Sequence, residues 1–389
     1  MKLLIVSHPC VTPVNQHLYA EVERLTGWAL TIAGPSNWTD DYGTRRSLER
    51  DPRFEGALVP IPVWPSGHIP LHMYGSTFQS LLRALRPDAI YVHNEPYAAS
   101  TAQVMLAARL SGQSPALGFY SAQNIVKRYP PPFRWTEQWV YGASTFAFPC
   151  SDTVRDTLRQ KGYAHEAALL PLGIDPGLYR PRADDAALRA RLAGDADVLL
   201  GYLGRITREK GLFTLLDALA RLPAALRWRL AIVGTGEAED DLREQAAGLG
   251  LADRIEWVGY VPHPEAPRYL SAFDALVLPS ETQPNWKEQF GRVVVEALAS
   301  ETPVVGTDSG EIPHLLRRTG GGLVVPERAP AALADALAEL AVRPDRRATL
   351  ARRGAEYVRT HLTHAALAHT FASTVERAVH APAAARPHS

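Results

Sequence analysis

A chain of 389 residues exceeds what one hydrophobic core usually serves, so two domains of ordinary size are expected. Hydrophobic residues at 46% and charged residues at 21% exclude a disordered chain, and 41 Lys plus Arg against 41 Asp plus Glu leave no net field for nucleic acid or an anionic membrane. Any anionic ligand must be held by local charges.

Cys10 and Cys150 are too few for a disulfide framework and lack the spacing of a metal knuckle; they read as small core residues in a reducing compartment. The apolar run at residues 3–6 is too short for a signal-peptide core or a membrane span. The expected location is cytoplasmic, with membrane contact peripheral at most, at the inner face.

In chain order, short runs rich in Val, Ile and Leu predict parallel strands at residues 2–8, 30–34, 57–63, 89–93, 116–120, 145–149 and 169–172. Helical patterns fall between them at 15–25, 76–85, 98–110 and 152–161. Residues 171–181, with their Pro and Gly, read as a linker, and the pattern then restarts. Strands are predicted at 198–203, 230–234, 255–259, 275–279, 303–307 and 322–325, and helices at 212–222, 237–249, 264–271, 290–300, 331–340, 346–359 and 364–378. The implied domains are 1–175 and 176–362, then a helix at 363–380 expected to pack back on the first domain and a tail at 381–389. The fold class is α/β, with two doubly wound sheets. Such sheets bind ligands beyond the carboxyl ends of their strands, which places the expected site in a cleft between domains.

The strongest local signal runs from Ser280 to Glu296, where an apolar strand gives way to a polar loop and then an apolar helix. Glu288 falls in the loop and Glu296 inside the helix, so the two carboxylates can accept hydrogen bonds from separate parts of one elongated ligand. Between them Gly291 permits close backbone approach, and the amides of Arg292 and Val293 at the helix start suit a phosphate. The alternative is a loop with surface acids ahead of an ordinary buried helix. A second strand ends in Gly204-Arg205, with Lys210-Gly211 opening the next helix, so two cations reach one strand end. Seen alone, these are equally readable as solvated surface groups. Gly234 and Gly236 form half a dinucleotide fingerprint without its third glycine, and a tight turn is the favoured reading.

Together the segments Gly-Arg-x4-Lys-Gly at Gly204–Gly211 and Glu-x7-Glu at Glu288–Glu296 resemble the large retaining glycosyltransferase family of GT-B fold, the family 4-like or group 1 glycosyltransferases. The resemblance continues through Ile232–Gly236, Val258–Val261, Val277–Ser280, Pro303–Gly306 and Gly310–Pro313, covering the second half in order. It implies two Rossmann-like domains facing a cleft. It also implies Arg205 and Lys210 on the donor diphosphate, Glu288 on the transferred sugar and Glu296 on the ribose. Gly204, Phe290, Gly291, Arg292 and Val293 would line the phosphate and sugar pocket, with Tyr260 and Val261 receiving the base.

The first half departs from the family pattern. No Gly-Gly pair follows the first strand, and the amides around Asn15 and Gln16 are the substitutes. The histidine many relatives carry after the fifth strand is replaced by Gln123 and Asn124, with Lys127 close behind; Asn94 and Glu95 end another strand and are further cleft candidates. Residues 127–135 mix cations, prolines and aromatics in a stretch read as too irregular for a helix, a loop that contacts lipid, sugar or only itself.

No histidine pair has metal-binding spacing, and Asp195 and Asp197 precede their strand, at the wrong end of the sheet for a phosphate site, so no metal and no cofactor beyond the co-substrate are expected. The resemblance implies transfer of a hexose from a UDP- or GDP-linked sugar to a sugar, lipid-linked or small-molecule acceptor, in cell-envelope or exopolysaccharide synthesis. Domains would close over both substrates, the diphosphate would leave, and the acceptor would attack from the same face. The rivals are a nucleotide-sugar epimerase and a non-catalytic nucleotide-sugar-binding protein. Intact Arg205, Lys210, Glu288 and Glu296 argue against the latter.

Overall fold

Strands whose side chains are apolar on both faces fit only a sheet covered on both sides, which is the parallel arrangement. The computed structural model describes residues 1–39, 43–182 and 185–381, and in it these runs form two all-parallel sheets. The chain divides into one compact unit of residues 1–173 and 364–389 and a second of residues 174–363. Of the tail, residues 382–389 lie outside the described residues.

The first unit's sheet runs, edge to edge, Glu166–Ala167, Phe146–Pro149, Ala116–Ser121, Ala89–His93, Lys2–Ser7, Ala29–Pro35 and Ala57–Ile61. Chain order reverses between Lys2–Ser7 and Ala89–His93, so their carboxyl ends mark the switch point of a doubly wound sheet. Helices Thr77–Leu85, Ala99–Leu110 and Phe133–Ala143 contact one another in sequence order. Elsewhere in the unit, helix His17–Thr26 packs against the C-terminal helix His364–His380. That last helix delivers Phe371 into the core, where its ring stacks on Phe148 at 4.9 Å and meets Tyr91 edge-on at 5.3 Å. Cys10 and Cys150 are buried free thiols, and burial pushes the Cys10 thiol up to about 12.

In the second unit the order is Ile255–Gly259, Trp228–Val233, Val198–Leu203, Ala275–Leu278, Val304–Thr307 and Gly322–Val325. Its switch point lies between Val198–Leu203 and Ala275–Leu278. Gly204-Arg205 follows the first of these strands and Ser280 follows the second, so one sheet position gathers both motifs.

Three local expectations need correction. Residues 133–143 are helical, so the supposed irregular loop ends in a helix that carries Arg134 and Trp135 in its first turn. Glu137, Val140, Tyr141 and Ala143 form its buried stripe, a helical spacing that the preceding prolines conceal. The edge strand lies at Glu166–Ala167, ahead of residues 169–172; Leu170 still donates to the Pro149 carbonyl at 2.9 Å, but Pro171 has no N–H with which to extend the ladder. Helix Ala186–Ala193 occupies a stretch for which no element was expected.

Candidate active site

Strand Ala275–Leu278 ends in buried Ser280, and the loop that follows returns to start helix Arg292–Ala299. Gly291 caps that helix with φ +77°, a conformation costly for a side-chain-bearing residue, and no side chain bonds the helix start. The first helical amides lack intrahelical acceptors by construction, which leaves them suited to an anion. Phe290 is buried beneath this turn, while Arg292 and Val293 are partly exposed.

Lys210 comes from the turn before helix Leu212–Leu219, and its Nζ lies 2.8 Å from Glu288 Oε2. The Ser280 hydroxyl donates to the same oxygen at 3.0 Å, and Lys210 sits 5.0 Å above the Trp286 ring. A Cβ on Gly211 would fall 1.8 Å from the Pro279 carbonyl oxygen, so only glycine lets the Lys210 turn lie against this strand end. Arg205 is exposed and, among the described residues, its guanidinium has no hydrogen-bond or ion-pair partner. The Lys210 charge is thus compensated by Glu288, whereas Arg205 has no ion-pair partner among the described residues. Gly234 and Gly236 serve backbone packing, since Cβ atoms there would fall 1.9 and 2.1 Å from the carbonyl oxygens of Gly204 and Ile206.

Glu296 is buried one turn into its helix. Its Oε1 accepts from the Tyr179 hydroxyl at 3.0 Å and lies 3.3 Å from Arg292 Nε and 3.5 Å from His263 Nε2. Burial and the Glu296 carboxylate hold the Tyr179 phenol well above its usual range, so it stays a donor. All three contacts converge on Oε1, so that oxygen is pinned, and among the described residues no hydrogen bond falls on Oε2. Tyr260 is exposed and Val261 partly so, in the segment between strand Ile255–Gly259 and His263.

In the first unit the candidates are engaged by their own chain. Asn15 Nδ2 donates to the Pro9 carbonyl at 2.8 Å, and buried Gln16 donates to Cys10 and Glu49 carbonyls while accepting from the Asp51 amide at 3.0 Å. Asn94 bonds the Ser100 hydroxyl and the Glu95 amide, each at 2.8 Å. Gln123 donates to the Tyr129 hydroxyl at 3.2 Å and accepts from the Ile125 amide at 3.0 Å; Asn124 is buried and Lys127 partly buried. Glu95 accepts from the Ser121 hydroxyl and the Ala122 amide, both at 2.7 Å, and burial raises its carboxyl to about 7 against those stabilising bonds. At the switch point, His93 Nδ1 lies 2.9 Å from the Tyr19 hydroxyl, and burial lowers its imidazole to about 4. His8, beside it, is also held neutral by burial and by the nearby His72 and His93.

Residues 185–357 match the family described as "Glycosyl transferases group 1", and residues 11–173 match "Glycosyl transferase 4-like domain". The chain belongs to the GT-B glycosyltransferase family. Among curated relatives it is 33% identical over 201 residues to a GDP-mannose-dependent alpha-(1-6)-phosphatidylinositol monomannoside mannosyltransferase of Mycobacterium tuberculosis, covering 51% of this chain and 52% of that protein. It is 28% identical over 318 residues to the 2-deoxystreptamine N-acetyl-D-glucosaminyltransferase of Streptomyces fradiae, covering 74% and 73%. The chain spans about half the length of the first of these relatives. The crystal structure of Anabaena HepE in complex with UDP superposes with a TM-score of 0.74 at 17% identity, over 97% of this chain and 100% of that one.

Within this GT-B protein two supports of the site escape a reading by spacing. Tyr179 lies in the stretch that reads as a linker, and only its burial between two prolines marks it. His263 follows the Tyr260 segment and reaches the Tyr179 hydroxyl at 3.0 Å, a contact between residues 84 positions apart.

Proposed function

We propose that the protein is a retaining, metal-independent glycosyltransferase that moves a hexosyl group from a UDP- or GDP-linked sugar to a hydroxyl of a sugar or lipid-linked acceptor. The observation that carries this reading is the pairing of a pinned Glu296 with the Lys210–Glu288 pair across one glycine-capped helix start. Glu296 Oε2 accepts a ribose hydroxyl, and the amides after Gly291 receive the diphosphate. Arg205, lacking a partner, and Lys210, drawn from Glu288, neutralise the charge that grows as the diphosphate leaves. Glu288, released from Lys210, accepts from hydroxyls of the transferred sugar. The leaving phosphate takes the acceptor's proton as its oxygen attacks the same face of the sugar.

The mannosyltransferase relative, whose name specifies GDP-mannose and a phosphatidylinositol mannoside, supports a nucleotide-linked donor and a lipid-linked acceptor. The UDP-bound structural neighbour supports the nucleotide half of that reading. The test is a thermal-shift panel of UDP, GDP and their hexoses, since a ligand bound only by the folded state stabilises it by RT ln(1 + [L]/Kd). Product anomers from the stabilising donor are then read by NMR in excess EDTA. A matching nucleotide should raise the melting temperature, with the donor's anomeric configuration kept and the rate unaffected by chelation. No response to any nucleoside diphosphate overturns the reading; conversion of the donor sugar without acceptor replaces it with an epimerase.

A further inference from the structure

Among the described residues Lys210 has two partners, the Glu288 carboxylate at 2.8 Å and the Trp286 ring, whose centroid lies 5.0 Å from Nζ. The ion pair is largely dry, with the two side chains 14% and 12% exposed. Transfer as proposed draws Lys210 away from Glu288, and in that interval the ammonium is withdrawn from both water and its counter-ion. Its flexible four-carbon stem does little to hold the charge in place. Trp286 meets that need as no carboxylate or carbonyl could. An aromatic face attracts a cation within about 6 Å through its quadrupole and takes no directed hydrogen bond, so all three ammonium N–H groups stay available to phosphate oxygens.

The ring is carried on an arm whose base is fixed on both sides. Gln283 and Trp286 exchange backbone hydrogen bonds at 2.7 and 3.2 Å, closing a tight turn over Pro284 and Asn285. At the foot of the arm the Glu281 amide donates at 2.8 Å to the carbonyl of Glu209, the residue before Lys210, and the Thr214 hydroxyl donates to Glu281 Oε1 at 2.6 Å. On the other side Glu327 accepts from the Thr282 amide and hydroxyl, each at 2.5 Å, and Arg328 donates to the Thr282 carbonyl at 2.9 Å. The arm is therefore tied both to the turn that bears Lys210 and to the loop after strand Gly322–Val325. Fastening of this kind sets the ring against Lys210 before any ligand arrives.

We propose that Trp286 is a positioning residue whose ring holds the Lys210 ammonium in place by cation–π attraction while that charge passes from Glu288 to the donor diphosphate. The inference rests on the proposed transfer reaction and gives Trp286 a task within it. Trp286 acts through Lys210 and needs no contact of its own with the ligand. Because the attraction is electrostatic, it follows the electron density of the ring face. A ring that served only as packing would depend on size and shape alone.

The experiment replaces Trp286 in the full chain with tryptophans of rising fluorine content, which drain charge from the ring face with little change of shape. Calorimetry then reads the affinity for UDP, GDP and pyrophosphate. For whichever of these wild type binds, affinity should fall stepwise with fluorine number, by about five- to thirtyfold at the most fluorinated ring. Trp286→Phe should keep part of the affinity, and Trp286→Leu, apolar but without a π face, should match the most fluorinated ring. In a Lys210→Met background the fluorine series should be flat, since the cation it acts on is gone. Fluorination of Trp257, whose ring lies 4.2 Å from the Arg243 guanidinium in the same unit, should change nothing. A flat series in the otherwise wild-type chain, or wild-type affinity in Trp286→Leu, would overturn the proposal. So would an equal response to fluorination at Trp257, or a fluorine dependence that survives Lys210→Met, because the ring would then touch the ligand itself. Failure to bind any of the three diphosphates overturns the donor reading on which the inference rests, an outcome distinct from binding that ignores the fluorines.

Discussion

In the proposed reading Glu296 accepts one ribose hydroxyl, and its carboxylate is held for that task by its neighbours. Tyr179, Arg292 and His263 converge on Oε1, so the side chain is oriented before a ligand arrives. Glu296→Ala should weaken nucleoside diphosphate binding by roughly 1–3 kcal/mol in calorimetry, while Tyr179→Phe, which frees the orientation but keeps the charge, should cost a smaller part of that. An unchanged Kd in a folded Glu296→Ala protein would remove the residue from the site. Lys210 differs in kind, because its resting partner Glu288 already satisfies its charge. Lys210→Ala should lower turnover by about two to three orders of magnitude with a smaller loss of donor affinity, measured as separate kcat and Kd. Loss confined to affinity would assign it to ground-state binding. Glu95 supplies a pH signature away from the donor motifs. Its folded carboxyl titrates near 7, above the ordinary 4.5, so its contribution is fully present below the unfolded value and is lost as pH rises through about 7. Wild type should therefore lose about 1–2 kcal/mol between pH 5 and 8 that Glu95→Gln does not lose, read as the pH dependence of the two unfolding midpoints.

At the scale of elements, legibility followed chemistry that is local. The strand Val198–Leu203 was visible because it is a continuous apolar run, and Lys210 and Glu288 were visible because each follows such a run closely. Helix Phe133–Ala143 was not, since Pro130–Pro132 suggests a break where it in fact marks a helix start, and its stripe includes buried Glu137, which reads as a surface charge until Lys161 is seen against it. The role of Tyr179 was equally hidden, because 117 residues separate it from Glu296 and no periodicity links them. The C-terminal helix tests how much one element holds. Phe371 is fully buried among Phe148, Tyr91 and Tyr19, so Phe371→Ala should destabilise the first unit by about 3–5 kcal/mol. Denaturant unfolding should show the loss in the transition reported by first-unit probes, with the second unit's transition unmoved.

At the scale of the molecule, the equal totals of 41 cations and 41 acids do not fix how charge is distributed along the chain: residues 56–136 hold six Lys or Arg and two acids. The order of the chain carries a further consequence. The first unit begins at Met1 but closes only with helix His364–His380, and residues 174–363 form the second unit in between as one uninterrupted segment. On the ribosome the second unit is therefore complete in sequence while the first still lacks Phe371. The usual rule that the N-terminal domain matures first is inverted, and the half of the first unit made earliest must wait, with its aromatic core partly uncovered, until helix His364–His380 has been made.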